Sequence, residues 1–123
     1  RILLMDDEEI VREVAKEMLA ELGYEAGFAR DGKEAIDLYK EAMASGRPFD
    51  VVIMDLTIPG GMGGKEAIKD LLQIDPSVKA VVSSGYSDDA VMSDWLHYGF
   101  SAVIAKPYRI SELSSVIHQV TKG

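Results

Sequence analysis

The run Val51-Val52-Ile53-Met54 ends in Asp55, so a carboxylate follows four residues that read as a buried strand. An ionised carboxylate taken out of water without a partner is costly enough to take up a proton instead. Asp55 must therefore meet either water or compensating cations. Three more apolar runs end in chemically capable residues. Asp6-Asp7-Glu8-Glu9 follows Ile2 to Met5, Ser83-Ser84-Gly85 follows Ala80 to Val82, and Lys106-Pro107 follows Ala102 to Ala105. Hard oxygen donors crowded at one place repel one another without a cation. Mg²⁺ suits such a set, because it binds through a few carboxylates, keeps waters and bridges to phosphate, with Mn²⁺ as an alternative. Lys106 can add a second positive charge. Glu8 and Glu9 read more simply as acids favoured at the start of a helix.

These groups meet only if the chain brings the ends of several strands together. Five strand-length runs, including Ala26 to Ala29, alternate with segments of helical spacing. Ile10, Val14, Met18 and Leu22 form one stripe, closed by Gly23 as a left-handed cap. Further stripes fall on Ala35 to Met43, on Ala67 to Leu72, on Val91 with Trp95, and on Ile110 to Val120. Strict alternation, with strands apolar on both faces, predicts a doubly wound α/β fold: a parallel sheet of five strands covered by five helices. Ligands bind such sheets beyond the carboxyl ends of the strands. Asp6, Asp7, Asp55, Thr57, Ser84 and Lys106 all fall on that edge.

The 123 residues, 47% of them apolar, suit one domain spanning 1–123, and the opening Arg suggests a domain cut from a longer chain. A formal net charge of −8 argues against a nucleic-acid surface. The absence of cysteine excludes disulfides and thiolate metal sites. No apolar run reaches the ~20 residues of a bilayer span, so no membrane contact and a cytoplasmic setting are expected. Gly60, Gly61, Gly63 and Gly64 before Lys65 fail the phosphate-loop spacing, since Pro59 and Glu66 stand where Gly and Ser or Thr are required. They read as a flexible loop. His97 and His118 are lone helical histidines with no assigned role.

The acidic pair Asp6-Asp7, the strand-terminal Asp55, Ser84-Gly85 and Lys106-Pro107, in this order, resemble the receiver domain of two-component signalling proteins over essentially the whole chain. The loop after Pro59 and the stretch Ser83 to Asp88 look most like receivers attached to hybrid sensor histidine kinases. The resemblance implies a flavodoxin-like sheet in the order 2-1-3-4-5. It implies that Asp55 is the phosphoacceptor, taking a phosphoryl group from a phosphohistidine of a histidine kinase or phosphotransfer domain. Asp7 would bind Mg²⁺ directly and Asp6 through water, with Asp55 and the Thr57 carbonyl as further ligands. Lys106 would pair with the phosphoryl group and Ser84 would donate its hydroxyl to it. Thr57 and Tyr86 would flank the water that hydrolyses the mark. The fourth helix, fifth strand and fifth helix would face an output domain or a second copy. Such a domain phosphorylates and dephosphorylates only itself.

The sequence departs from the family at Val103, where an aromatic residue is common, and in a loop one residue longer, with Gly63 in place of Asp or Asn. Two rival readings are an aspartyl-phosphate phosphohydrolase and an unphosphorylated receiver-like adaptor. The first lacks its second acid, because Thr57 stands two residues after Asp55. The second is disfavoured by the intact acidic pair with Asp55 and Lys106.

Overall fold

The computed structural model describes residues 1–85 and 94–122. The strands are β1 (Ile2–Met5), β2 (Ala26–Ala29), β3 (Val51–Asp55), β4 (Ala80–Ser84) and β5 (Ala102–Ala105). They pair in parallel, in the order β2-β1-β3-β4-β5. The helices among the described residues are α1 (Glu9–Glu21), α2 (Gly32–Ala44), α3 (Gly64–Ile74) and α4 (Ile110–Thr121).

Side-chain alternation sorts the sheet into two apolar layers. Leu3, Met5, Val52, Met54, Ala80 and Val82 pack with Tyr39 of α2 and Ile68 and Leu71 of α3. Ile2, Leu4, Val51, Ile53, Val81 and Ile104 pack on the other side with Leu19 of α1 and Leu113 and Ile117 of α4. Both layers are needed because parallel strands expose apolar side chains on each face.

Among the described residues, four helices stand where five were expected in the whole chain. Of the segment read on Val91 and Trp95, Val91 lies outside the described residues. Trp95 to Gly99 forms successive three-residue-spaced turns, Tyr98 N–H to Trp95 C=O at 3.2 Å and Gly99 N–H to Leu96 C=O at 3.1 Å. Gly99 has φ +100 and ends them. Trp95 and Tyr98, both partly buried, pack against the first layer. Gly23, at φ 87, closes α1 as read from sequence.

The glycine-rich loop is the second difference, since it is packed rather than loose. A Cβ on Gly63 would lie 2.5 Å from the Leu56 carbonyl oxygen and 2.9 Å from Thr57 Cα. One on Gly64 would lie 2.9 Å from the Asp55 carbonyl oxygen. Gly63 N–H donates to Glu66 Oε1 at 3.0 Å, and Gly32 N–H donates to the Met62 carbonyl at 2.6 Å. The loop thus lies against the end of β3 and is tied to the start of α2.

Candidate active site at the carboxyl edge of the sheet

The same alternation that builds the second apolar layer aims the site. Ile2 and Leu4 of β1 face α1 and α4, so the next side chain in phase is Asp6. Val51 and Ile53 lead in phase to Asp55, Val81 leads to Ser83, and Ala102 and Ile104 lead to Lys106. Four polar side chains therefore continue one apolar face past its end. Register places Asp55 beside Ser83 and Ser83 beside Ile104.

Lys106 joins the row. Its Nζ lies 2.9 Å from Asp6 Oδ2 and 3.3 Å from Asp55 Oδ2. Asp6 is wholly buried and Asp55 is only 6% exposed. The second Asp6 oxygen accepts the Glu8 N–H at 3.0 Å, and Arg12 donates to the Asp6 carbonyl at 2.8 Å. Burial, then the negative field of Asp6, pushes the Asp55 carboxyl up to about 6, against the pull of Lys106. Burial disfavours the Lys106 ammonium, yet the hydrogen bond it donates to Asp6 and the charge of Asp55 outweigh it and raise its pKa.

Asp7 is exposed beside Asp6, and Asp6, Asp7 and Glu8 each offer a carboxylate oxygen within 4.8 Å of the others. Three hard anionic donors at that spacing fit a divalent cation such as Mg²⁺. Glu8 enters this group, where the sequence suggested only helix capping. It does hold the N-cap position of α1, but its side chain makes no cap bond. Thr57 is exposed just past β3. The Ser84 hydroxyl and Tyr86 fall outside the described residues. His97 and His118 are exposed and bonded locally, to Asp94 and to the Ser114 carbonyl.

One pair escaped the sequence reading. The Tyr108 hydroxyl donates to Ser83 Oγ at 2.9 Å, both groups being buried. Burial raises the Tyr108 hydroxyl pKa, so it stays protonated at neutral pH.

The chain matches the response regulator receiver domain family over residues 2–118. It is 36% identical over 123 residues to the chemotaxis protein CheY of Thermotoga maritima, covering 99% of this chain and 98% of that protein. Sporulation initiation phosphotransferase F of Bacillus subtilis is 28% identical over 117 residues, covering 95% and 90%. The receiver domain of a Pseudomonas aeruginosa sensor histidine kinase, solved with a magnesium ion in its active-site cleft, has the same fold, with TM-score 0.83 at 22% identity and coverage of 99% and 97%. Parallel strands in the order 2-1-3-4-5 and a family match across nearly the full length lead to one conclusion: the chain belongs to the response regulator receiver domain family of two-component signalling.

Proposed function

We propose that Asp55 accepts a phosphoryl group from a phosphohistidine of a histidine kinase or phosphotransfer domain, and that the acyl phosphate so formed alters a partner-facing surface. The observation that carries this reading is Lys106 Nζ held between two buried carboxylates at 2.9 and 3.3 Å. One oxygen of Asp55 is engaged by Lys106, which leaves the other for bond formation to phosphorus. As that bond forms, the P–N bond to the imidazole breaks and its electron pair leaves with the ring. A carboxyl with pKa about 6 is still ionised at neutral pH and is a stronger nucleophile than an ordinary aspartate. Lys106 is placed to follow the negative charge onto the phosphoryl oxygens, the electrostatic service phosphoryl transfer most needs. Asp7, Asp6 and Asp55, with the Thr57 carbonyl, would hold Mg²⁺, and Glu8 lies within reach of the same ion. When bound, Mg²⁺ neutralises phosphoryl charge and orients the group.

The donor needs a seat beside Lys106. A groove of about 210 Å³, lined by Ile10, Val11, Val14, Lys106, Pro107 and Tyr108, provides one. Ile10 is 64% exposed and Val14 is 41% exposed, so α1 presents an apolar strip at the edge of the site. An apolar helix of the donor lying there brings its histidine to Asp55. Val103 and Ala105 of β5, with Ser115 and Gln119 of α4, form a separate shallow surface for an output domain or a second copy.

Intact-mass analysis after incubation with acetyl phosphate and Mg²⁺ tests the assignment. Wild type should gain one phosphoryl group, Asp55→Asn none, and Lys106→Ala very little. Equal uptake by Asp55→Asn would overturn it.

A further inference from the structure

Ser83 stands where its layer turns polar. On one side of it lie the apolar residues Ile2, Leu4, Val51, Ile53, Val81, Ala102 and Ile104 and on the other Asp6, Asp55 and Lys106, yet Ser83 itself is fully buried and makes no contact with the two carboxylates or the ammonium among the described hydrogen bonds. A buried hydroxyl without a partner is unfavourable, and an apolar residue would fill this position at no such cost. Its partner is Tyr108, whose hydroxyl reaches it at 2.9 Å across 25 residues of sequence. The two ends of this bond matter. Ser83 is in register with Asp55, and its carbonyl accepts the Leu56 N–H at 2.9 Å, so it is fixed to β3 at the nucleophile. Tyr108 stands two residues after Lys106, in the link between β5 and α4. The bond therefore ties the lysine's loop to the strand position beside the aspartate. Tyr108 also lines the groove with Ile10 and Val14, so the bond lies next to the proposed seat of the donor.

We propose that Tyr108 is a positioning residue for phosphoryl uptake, acting through Ser83 to hold Lys106 at bonding distance from Asp55; this rests on Asp55 being the phosphoacceptor. Lys106 begins one residue past the last β5 residue, Ala105, so the ladder of β5 alone does not fix its side chain. The tyrosine supplies the second anchor point. Loss of the hydroxyl frees the loop to move, and misplacement of a catalytic ammonium by even part of an ångström costs on the order of tenfold or more in rate.

The test compares wild type, Tyr108→Phe, Ser83→Ala and the double variant. Each single variant leaves one buried hydroxyl unpaired and should be less stable. The double variant removes both polar groups and should regain most of that stability. At saturating Mg²⁺ and acetyl phosphate, all three variants should take up phosphate roughly tenfold more slowly than wild type, with the half-saturating donor concentration unchanged. The lysine-ammonium NMR signal of Lys106 in metal-free protein should be sharp in wild type and broadened in all three. A double variant that recovers the wild-type rate together with its stability would show that the bond is only structural and overturn the proposal, as would a Tyr108→Phe protein with wild-type rate and an unchanged Lys106 signal. If wild type itself takes up no phosphate while the Lys106 signal still responds, the assignment of Asp55 fails and the positioning of Lys106 by Tyr108 stands.

Discussion

Replacing the proposed nucleophile should make the metal-free protein more stable. The Asp55 carboxyl titrates near 6 in the folded chain against an ordinary value of 3.8, because burial and Asp6 oppose its charge more than Lys106 supports it. Folding therefore binds protons between about pH 4 and 6. For a group whose folded pKa is raised, the penalty is absent below the unfolded value and fully developed above the folded one. At about 1.36 kcal/mol per pH unit, the difference corresponds to about 3 kcal/mol by pH 7.5. Asp55→Asn keeps the shape and removes the charge, but it also takes one of two carboxylates from Lys106. A net gain of about 1–2 kcal/mol is expected. Urea denaturation in EDTA at pH 7.5 measures it directly. The same experiment at pH 4.5 should bring the two proteins close together, since wild-type Asp55 is then largely protonated. Saturating Mg²⁺ should stabilise wild type and close the gap at pH 7.5. An Asn variant less stable than wild type in EDTA at pH 7.5, or a gap that does not shrink on acidification, would refute the reasoning.

Gly63→Ala should destabilise by about 2–4 kcal/mol in thermal or urea unfolding, because the added methyl meets backbone that cannot swing away; Gly61→Ala, whose nearest contact is the Ile58 side chain at 3.3 Å, should change stability far less. In a Mg²⁺ titration Asp7→Ala should weaken binding more than Glu8→Ala, with both effects visible because both carboxylates belong to one group; equal loss would remove Asp7 as the principal ligand. Thr57→Asn with Tyr86→Glu should shorten the life of the proposed acyl phosphate, followed as phosphate release, because an amide and a carboxylate guide a hydrolytic water better than a small hydroxyl and an aromatic ring do.

Most of the architecture was legible because parallel strands buried on both faces write long apolar runs, and each run here is a strand. The runs under-read the carboxyl ends. Asp55, Ser83 and Ser84 belong to β3 and β4, since ladder hydrogen bonds continue after the side chains turn polar. The gathering of Asp6, Asp55 and Lys106 was also legible, as residues following three strands of one sheet. Two features were not. Glu8 looked like a capping residue because acids at helix starts are common, and only the fold of the Asp6-Asp7-Glu8 turn places its oxygen with the others. The Tyr108 to Ser83 bond joins residues far apart in sequence, and no local pattern announces it. The available signal was parity: Ser83 falls in phase with Val81, so its hydroxyl is carried into the buried layer rather than to the surface.

Parity also explains why the site is strained in charge and stable in shape. Two full apolar layers hold the strand ends in register, so Asp6 and Asp55 stay buried side by side although each raises the free energy of the other's charge. One ammonium serves both, and Asp7 and Glu8 add negative charge without a cation among their described contacts. A chain selected for stability alone would neutralise one of these acids, as Asp55→Asn does. Keeping them leaves an edge whose electrostatics improve when positive charge arrives, and an Asp55 carboxylate, the proposed nucleophile, whose basicity is raised by burial and the same crowding. The groove beside Lys106 and the Tyr108 to Ser83 bond lie on that same face. The position of Lys106 and the surroundings of the Asp55 carboxylate are thus set by one row of alternate residues, with the proposed donor groove beside it, and a substitution that shifts β4 by one residue would disturb Ser83, Asp55 and Lys106 at once.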